Sequence, residues 1–303
     1  SYRQAIVLKT DYAAVYNNLG TILLNEGRLE EALAHYDEAI KLQVDYSQAY
    51  SNKNLCLNFL PNWSSLFIYQ QHLEFEKQFG GMKIRVPLMG KVNKGSGERL
   101  RIGYVSGDLR SHSVAYFFEP LLQHHNANVV ETFCYYNHKL VDDVTDRLRA
   151  ASEHWRLIFD MPQANVVDLI IADKIDILVD LSGHTAGNSL LVFAQKPAPI
   201  LVTWLGYSNT TGLSAIDYRF TDVIADPIGE ADQFHSETLF RLPNGFHCYR
   251  GNKTALVNLE LPYKNGGHIT FGSFNNISKL TPEVIKVWSK ILNAVQSLIG
   301  ENI

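Results

Sequence analysis

The chain has 303 residues, a mass of 34.2 kDa and a formal net charge of −4 from 27 basic and 31 acidic side chains. Its hydrophobic share of 46% against 19% charged is material for about two packed domains and excludes a disordered, collagen-like or low-complexity chain. The acidic balance argues against a general nucleic-acid binder, which needs a basic surface to displace counterions. Cys56, Cys134 and Cys248 lie far apart without a C-x-x-C pair. They imply neither a disulfide framework nor a zinc site, and they fit a reducing, cytoplasmic setting. No apolar run reaches the roughly 18 residues that suggest a membrane helix. The richest stretch, Ser189 to Tyr207, is broken by Lys196, Pro197 and Pro199; no secretory signal is legible and no membrane partner is expected.

In chain order, residues 1–60 carry a repeat. Tyr16, Leu19, Gly20 and Leu23, followed by Ala32, Tyr36 and Ala39, fall at the offsets of a 34-residue tetratricopeptide (TPR) unit. Leu19, Ile22 and Leu23 make one helical stripe; Leu33, Tyr36, Ala39 and Ile40 make another. Small Gly20 and Ala32 allow close approach, and Gly27 sits at the turn. Val44 stands where the repeat usually has proline. Ala5 to Lys9 reads as the tail of a preceding repeat. Tyr50 opens a following one in which Lys53-Asn54 replaces the Leu-Gly pair, so the array is ending. One unit cannot bury its own faces, and the chain starts without Met, so an array is expected to continue upstream of Ser1. Residues 61–98 read as a helical connector (Trp63, Phe67, Ile68, Leu73, Phe75, Phe79) and a polar linker over 90–98 that lacks the Walker spacing.

Residues 99–255 alternate strands and helices. Strands are predicted over 101–106, 131–136, 175–181 and 200–205, with two more over 218–224 and 238–242. Helices are predicted over 114–123, 142–152 and 165–173. This order means a parallel sheet with helices on both faces. Residues 256–303 read as the start of a second such lobe. A strand is predicted over 269–274, then a helix opened by Thr281 as N-cap, Pro282 in the first turn and Glu283 favouring the dipole. Val284, Val287, Trp288, Ile291, Leu292 and Val295 follow at three-four spacing.

Ligands of open α/β sheets bind beyond the carboxyl ends of the strands. The segments following the strands near 106, 181, 205 and 274 are rich in Gly, hydroxyl, amide, His or Lys residues, which argues for a polar, hydroxylated ligand. His112 is a candidate general base or sugar ligand, the chemistry for which an imidazole is most often used; helix capping before Val114 is the alternative. Asp108 either orients His112 or serves a turn. His184, between Gly183 and Thr185, is too polar in setting for a core histidine and is expected to contact substrate. Gly206 and Gly212 either admit a ligand to the backbone or make turns. Lys279, ahead of a helix N-terminus, suits a phosphate, or is a solvated lysine. The sequence holds no D-x-D metal pair, no H-E-x-x-H, no G-x-S-x-G elbow and no G-x-G-x-x-G after the first strand. A metal-independent site for a phosphorylated sugar donor fits what remains.

The segments Arg101-Ile102-Gly103-Tyr104-Val105-Ser106, Asp176 to Thr185, Pro197-Ala198-Pro199-Ile200, Trp204-Leu205-Gly206-Tyr207 and Phe271 to Lys279 resemble the TPR-containing protein O-glycosyltransferases, the O-GlcNAc transferase and SPINDLY family. His112-Ser113-Val114-Ala115-Tyr116-Phe117 and Asn209-Thr210-Thr211-Gly212-Leu213 are closer to the SPINDLY branch; Tyr116 stands where the animal branch has a second His. The resemblance implies an α plus α/β chain: the end of a TPR array, the first Rossmann-like lobe of a GT-B glycosyltransferase, and the start of its second lobe. It implies inverting, metal-independent transfer of GlcNAc from UDP-GlcNAc, or of fucose from GDP-fucose, to Ser or Thr of proteins delivered by the TPRs. By the same resemblance, His112 and Asp108 lie at the reacting groups, Leu205 and Gly206 line the cleft, and Asn276 and Lys279 meet the donor, Lys279 at its diphosphate. The competing reading is a TPR scaffold with a degenerate or incomplete lobe. With so little of a second lobe, this chain alone is expected to bind nucleotide weakly, to be inactive, and to leave the apolar face of its last helix exposed.

Overall fold

The computed structural model describes residues 12–81, 95, 97–251, 256 and 258–300. The repeat tail expected over 5–9 and most of the linker expected over 90–98 lie outside them. The chain divides into two compact units, residues 1–42 with 251–303, and residues 43–250.

In the first unit, α1 (Ala13–Asn25) and α2 (Leu29–Leu42) form a hairpin. Ala32, Tyr36 and Ala39 have no exposed surface. A Cβ at Gly20 would stand 2.7 Å from Tyr36 Cε1, so glycine is what admits the tyrosine ring. The turn passes through Gly27 at φ 76°, which glycine alone adopts without strain. This is the helix pair that the repeat spacing predicts.

The second part of this unit differs from expectation. No strand forms over 269–274. A strand needs a neighbour to take its N–H and C=O groups, and this unit has no strand among its described residues. The chain runs instead from a short helix α9 (Pro262–Gly266) to a 3-10 turn at Ile277–Lys279, whose Ser278 hydroxyl donates to the Leu24 carbonyl at 2.8 Å. The next helix, α10 (Pro282–Gly300), starts as predicted, with the Thr281 hydroxyl accepting from the Val284 N–H at 3.4 Å. Ile285, Val287, Trp288, Ile291 and Leu292 are exposed along it.

The second unit opens with α3 (Ser47–Leu57) and α4 (Ser65–Phe79), the latter N-capped by the Ser64 hydroxyl. The sheet follows: β1 (Leu100–Ser106), α5 (Ser113–His124), β2 (Val130–Tyr136), α6 (Asp143–Ala151), β3 (His154–Leu157), α7 (Gln163–Ala172), β4 (Ile177–Asp180), α8 (Leu190–Phe193), β5 (Ile200–Thr203), β6 (Tyr218–Thr221) and β7 (Thr238–Arg241). All seven strands are parallel, in the order β3-β2-β1-β4-β5-β6-β7.

Side chains alternate across the sheet, as the period of two requires. Val105, Phe133, Tyr135, Leu178 and Leu201 share one core with Val167 and Ile170 of α7. Tyr104, Cys134, Tyr136, Val179 and Val202 share the other with Phe118 of α5 and Leu148 of α6. Phe75 and Phe79 of α4 enter the first core, so this connector helix is part of the lobe's interior. Two elements of this unit, β3 and α8, have no counterpart among the predicted ones. The strand His154-Trp155-Arg156-Leu157 has no apolar run, and only pairing with β2 makes it a strand.

Candidate functional site

The sheet reverses its strand order between β1 and β4, the switch point at which open α/β sheets leave a crevice. Three segments meet there. Gly107 leaves β1 so closely that an added Cβ would stand 3.2 Å from the Asn137 carbonyl and 3.3 Å from that of Gly187. Asn137, just past β2, donates through Nδ2 to the Gly187 carbonyl at 3.0 Å, and its own N–H bonds the Ser106 carbonyl at 2.9 Å. The tips of β1, β2 and β4 are thereby held together.

Asp108 is nearly buried. Its N–H donates to the Ser106 hydroxyl at 2.9 Å, and its Oδ1 accepts from Arg110 Nη2 at 3.2 Å. Arg110 Nε is buried without a partner. His112 Nδ1 lies 3.7 Å from Asp108 Oδ2, too far for a hydrogen bond. That nitrogen instead accepts the Val114 N–H at 3.3 Å, so His112 is the N-cap of α5. Nδ1 is therefore the unprotonated nitrogen, and the neutral ring carries its proton on Nε2.

The loop is pinned from outside by the Ser111 N–H, which donates to Asp142 Oδ2 at 2.8 Å. Asp142 also caps α6 in a capping box with Thr145. Desolvation opposes its charge, but the amides of Ser111 and Thr145 outweigh this and hold its pKa below the usual carboxylate value.

After β5 the chain makes a γ-turn. Leu205 has φ 73°, and the Gly206 N–H returns to the Trp204 carbonyl at 2.9 Å. A Cβ on Gly206 would stand 1.9 Å from the Leu181 carbonyl oxygen. The glycine serves the approach of the β5 tip to the β4 tip, and its N–H is already used. Leu205, half-buried against the Tyr104–Phe118 core, is one of four non-glycine residues with positive φ among the described residues, with Asp160, Lys174 and Lys196, and the one of them at the tip of a strand beside the switch point. At Gly212, φ is 76° and the open side faces the His72 carbonyl at 2.3 Å, so protein backbone, and not ligand, is what this glycine admits.

His184 requires a correction. The surrounding Gly, Thr and Ser residues suggest an open loop, yet the ring has no exposed surface. Its Nδ1 accepts from the Ser51 hydroxyl at 3.0 Å, and its Nε2–H donates to the Thr211 carbonyl at 2.8 Å. His72 and Phe75 of α4 and Tyr207 pack around it with ring centroids 4.9 to 5.3 Å away. Burial, with His72 adding to it, pushes its pKa well down. This is a satisfied interior histidine, covered by helices more than a hundred residues upstream. His72 is alike: Nδ1–H donates to the Ile68 carbonyl, Nε2 accepts the Tyr207 hydroxyl at 2.7 Å, and burial lowers its pKa to about 4.

Asn276 and Lys279 belong to the other compact unit. Asn276 accepts the Ser278 N–H at 3.1 Å as the cap of the 3-10 turn, and Lys279 is exposed at its end. The strand expected to present them is not formed. Within residues 43–250 the structure gathers Asp108 and His112 on one loop and fixes Leu205 and Gly206 on another. It adds Arg110, Asn137 and Asp142, which sequence reasoning did not single out. Arg110 carries a legible signal, a cation two residues after Asp108; Asn137 and Asp142 matter through tertiary contacts alone.

The family model of glycosyl transferase family 41 matches residues 85–261, and a tetratricopeptide repeat model matches residues 13–46. A protein of Oryza sativa subsp. japonica named "Probable UDP-N-acetylglucosamine--peptide N-acetylglucosaminyltransferase SPINDLY" is 42% identical over 265 residues, covering 86% of this chain and 28% of the relative. A protein of Arabidopsis thaliana named "Probable UDP-N-acetylglucosamine--peptide N-acetylglucosaminyltransferase SEC" is 34% identical over 216 residues, covering 67% of this chain and 22% of the relative. A solved mutant of Thermobaculum terrenum O-GlcNAc transferase superposes with a TM-score of 0.90 at 35% identity, covering 97% of this chain and 56% of that one. The chain thus spans about a quarter of the length of these curated relatives.

Proposed function

The chain belongs to glycosyl transferase family 41, and from that premise we propose that it is the repeat-to-catalytic-lobe portion of a protein O-glycosyltransferase. The reaction is transfer of a sugar from a nucleotide diphosphate, UDP-GlcNAc or GDP-fucose, to Ser or Thr hydroxyls of proteins that the TPR helices recruit, in the cytoplasm. The observation that carries this reading is the loop at the switch point. There a carboxylate, a guanidinium and a half-exposed imidazole lie within one short segment of a family-41 lobe.

In this reaction the acceptor oxygen attacks the anomeric carbon while the bond to the diphosphate oxygen breaks. The electron pair leaves with the diphosphate, and the proton of the hydroxyl is lost. With Nδ1 engaged as the cap of α5, the neutral His112 ring offers an N–H at Nε2. Its role is then to orient the sugar or acceptor oxygen by donating a hydrogen bond, and acting as base would require it to release the cap. Asp108, neutralised in part by Arg110, stands beside the ring and favours any positive charge it acquires. The missing D-x-D pair supports metal-independent chemistry.

The test is incubation of the full-length protein with UDP-GlcNAc and GDP-fucose separately, with mass spectrometry of a Ser/Thr peptide. A gain of one sugar from one donor is expected. No transfer from either, with a folded protein, favours the scaffold reading.

A further inference from the structure

A cavity of about 280 Å³ lies beside the tips of β2 and β3, wholly within residues 43–250. It is smaller than a drug-sized pocket, with room for one amino-acid residue and its flanking amides. Its walls come from α3, the segments after β2 and β3, the first turn of α7 and the segment leading into α8. Ile158, Val166 and Val192 are buried members of the first core, and Met161 packs against that core. These four make an aliphatic floor. Ser47, Gln48 and Asn137 are half-buried and Gln163 is exposed, and they make a polar rim. Among the described residues no charged side chain, histidine or aromatic ring lines the cavity.

The rim has hydrogen-bonding capacity that the fold does not use. Asn137 commits its Nδ2 to the Gly187 carbonyl at 3.0 Å and the Ser189 hydroxyl at 3.4 Å. Its Oδ1 is accessible and has no partner among the described residues. Gln48 donates to Asn52 Oδ1 at 2.9 Å, which leaves it one N–H and its Oε1. The Ser47 hydroxyl is likewise accessible and unpaired among the described residues. Ser51 and Asn188 of the wall are already engaged, with His184, Thr185 and the Leu190 N–H. The open groups are thus uncharged and include both donors and acceptors. A phosphate, carboxylate or ammonium would lose its hydration here without meeting a counter-charge. A hexose carries hydroxyls around its whole edge, and the aliphatic floor would leave some of them unpaired. A residue of an extended polypeptide fits, since it sets an apolar side chain between amides that each bring one donor and one acceptor.

We propose that this cavity is a docking subsite for one uncharged aliphatic residue of an extended polypeptide from another protein. The aliphatic side chain lies on Ile158, Met161, Val166 and Val192. A backbone N–H of the polypeptide donates to Asn137 Oδ1, and a backbone carbonyl accepts from Gln48 Nε2 or the Ser47 hydroxyl. The tetratricopeptide match ends at residue 46, directly before α3, and arrays of such helices offer extended binding surfaces. The inference rests on the cavity and not on the transfer reaction.

The test is a titration of the chain carrying ¹³C-methyl methionine. The sequence has three methionines, and a Met161→Leu variant assigns the signal from the cavity. The probes are N-acetyl-leucine N-methylamide, its aspartate and lysine analogues, methyl glucoside, and isoamyl alcohol as a side chain without amides. A saturable shift of the Met161 methyl is expected with the leucine amide. Affinity should be about tenfold or more weaker for the two charged analogues, which find no counter-charge. Methyl glucoside and isoamyl alcohol should not saturate. Gln48 is half-buried on α3, so Gln48→Leu should leave circular dichroism unchanged and weaken binding several-fold by removing rim donors and an acceptor. No saturation by the leucine amide in the folded chain, an equal response to methyl glucoside or isoamyl alcohol, equal affinity for the charged analogues, or full affinity in Gln48→Leu overturns the proposal.

Discussion

One nitrogen decides how His112 is to be used. Because Nδ1 receives the Val114 N–H, removing the ring removes both a helix cap and a candidate site group. The two separate in His112→Asn, since asparagine is among the best N-caps. That variant should keep its melting temperature within a degree or two of the parent, yet lose about 100-fold or more in glycosyl transfer by the full-length protein. Equal activity would assign the ring to capping alone. At Gly206 the expectation is the reverse. A methyl group 1.9 Å from the Leu181 carbonyl meets backbone that cannot yield, so Gly206→Ala should cost about 3 kcal/mol or more in urea unfolding. A smaller loss would show that the β4 and β5 tips can part.

Helices α3 and α4 are joined to the sheet loops by buried uncharged polar groups and, at the surface, by the Glu76 carboxylate, which accepts from Ser214. The Tyr207 hydroxyl accepts from Asn58 Nδ2 at 2.7 Å and donates to His72 Nε2, while Ser51 and Thr211 hold His184. Both rings are neutral, and both pKa values are lowered chiefly by burial. The unfolded chain therefore takes up protons first as pH falls below about 6.5, and native stability drops from there until the folded rings titrate. With His72 at about 4, this one ring removes roughly 2 kcal/mol between pH 7.5 and pH 5. Asp180 works in the opposite sense, because burial raises its pKa and its protonation favours the folded state. Urea midpoints measured at the two pH values should show the net loss, and an unchanged midpoint would contradict buried neutral histidines. Tyr207→Phe should cost about 1–3 kcal/mol at neutral pH, by leaving His72 Nε2 unpaired.

Across the whole molecule, the exposed row Ile285, Trp288, Ile291 and Leu292 on α10 exceeds the scattered apolar residues of an ordinary surface. The purified 303-residue chain should bind a hydrophobic dye and self-associate, and Trp288→Gln with Ile291→Glu should reduce both, as read by fluorescence and light scattering. The periodicity of this helix is plain in the sequence, as are β1, β2 and β4 to β7, whose apolar runs are bounded by turn residues. His154 to Leu157 is not legible, because its strand character comes from the neighbouring strand. The strand expected over 269–274 has the right residues and, among the described residues of its unit, no strand to pair with. The loops after β1 and β5 stand out in the sequence as candidate site loops because strand tips hold ligands in such sheets. The interior place of His184 is not, since nothing near it in sequence announces the helices that cover it.

Those covering helices also bear on how the lobe is built in time. Ser51 reaches His184 across 133 residues, His72 reaches Tyr207 across 135, and Asn58 reaches Asn209 across 151. Contacts so remote in sequence close large loops and slow the approach to the native state. The segment holding α3 and α4 leaves the ribosome before the sheet but gains the last of these partners, Tyr207 and Asn209, only after β5 has emerged. A gene fragment begun at residue 99 would lack Phe75 and Phe79 of the first core, and should yield insoluble product that co-expression of residues 43–81 rescues.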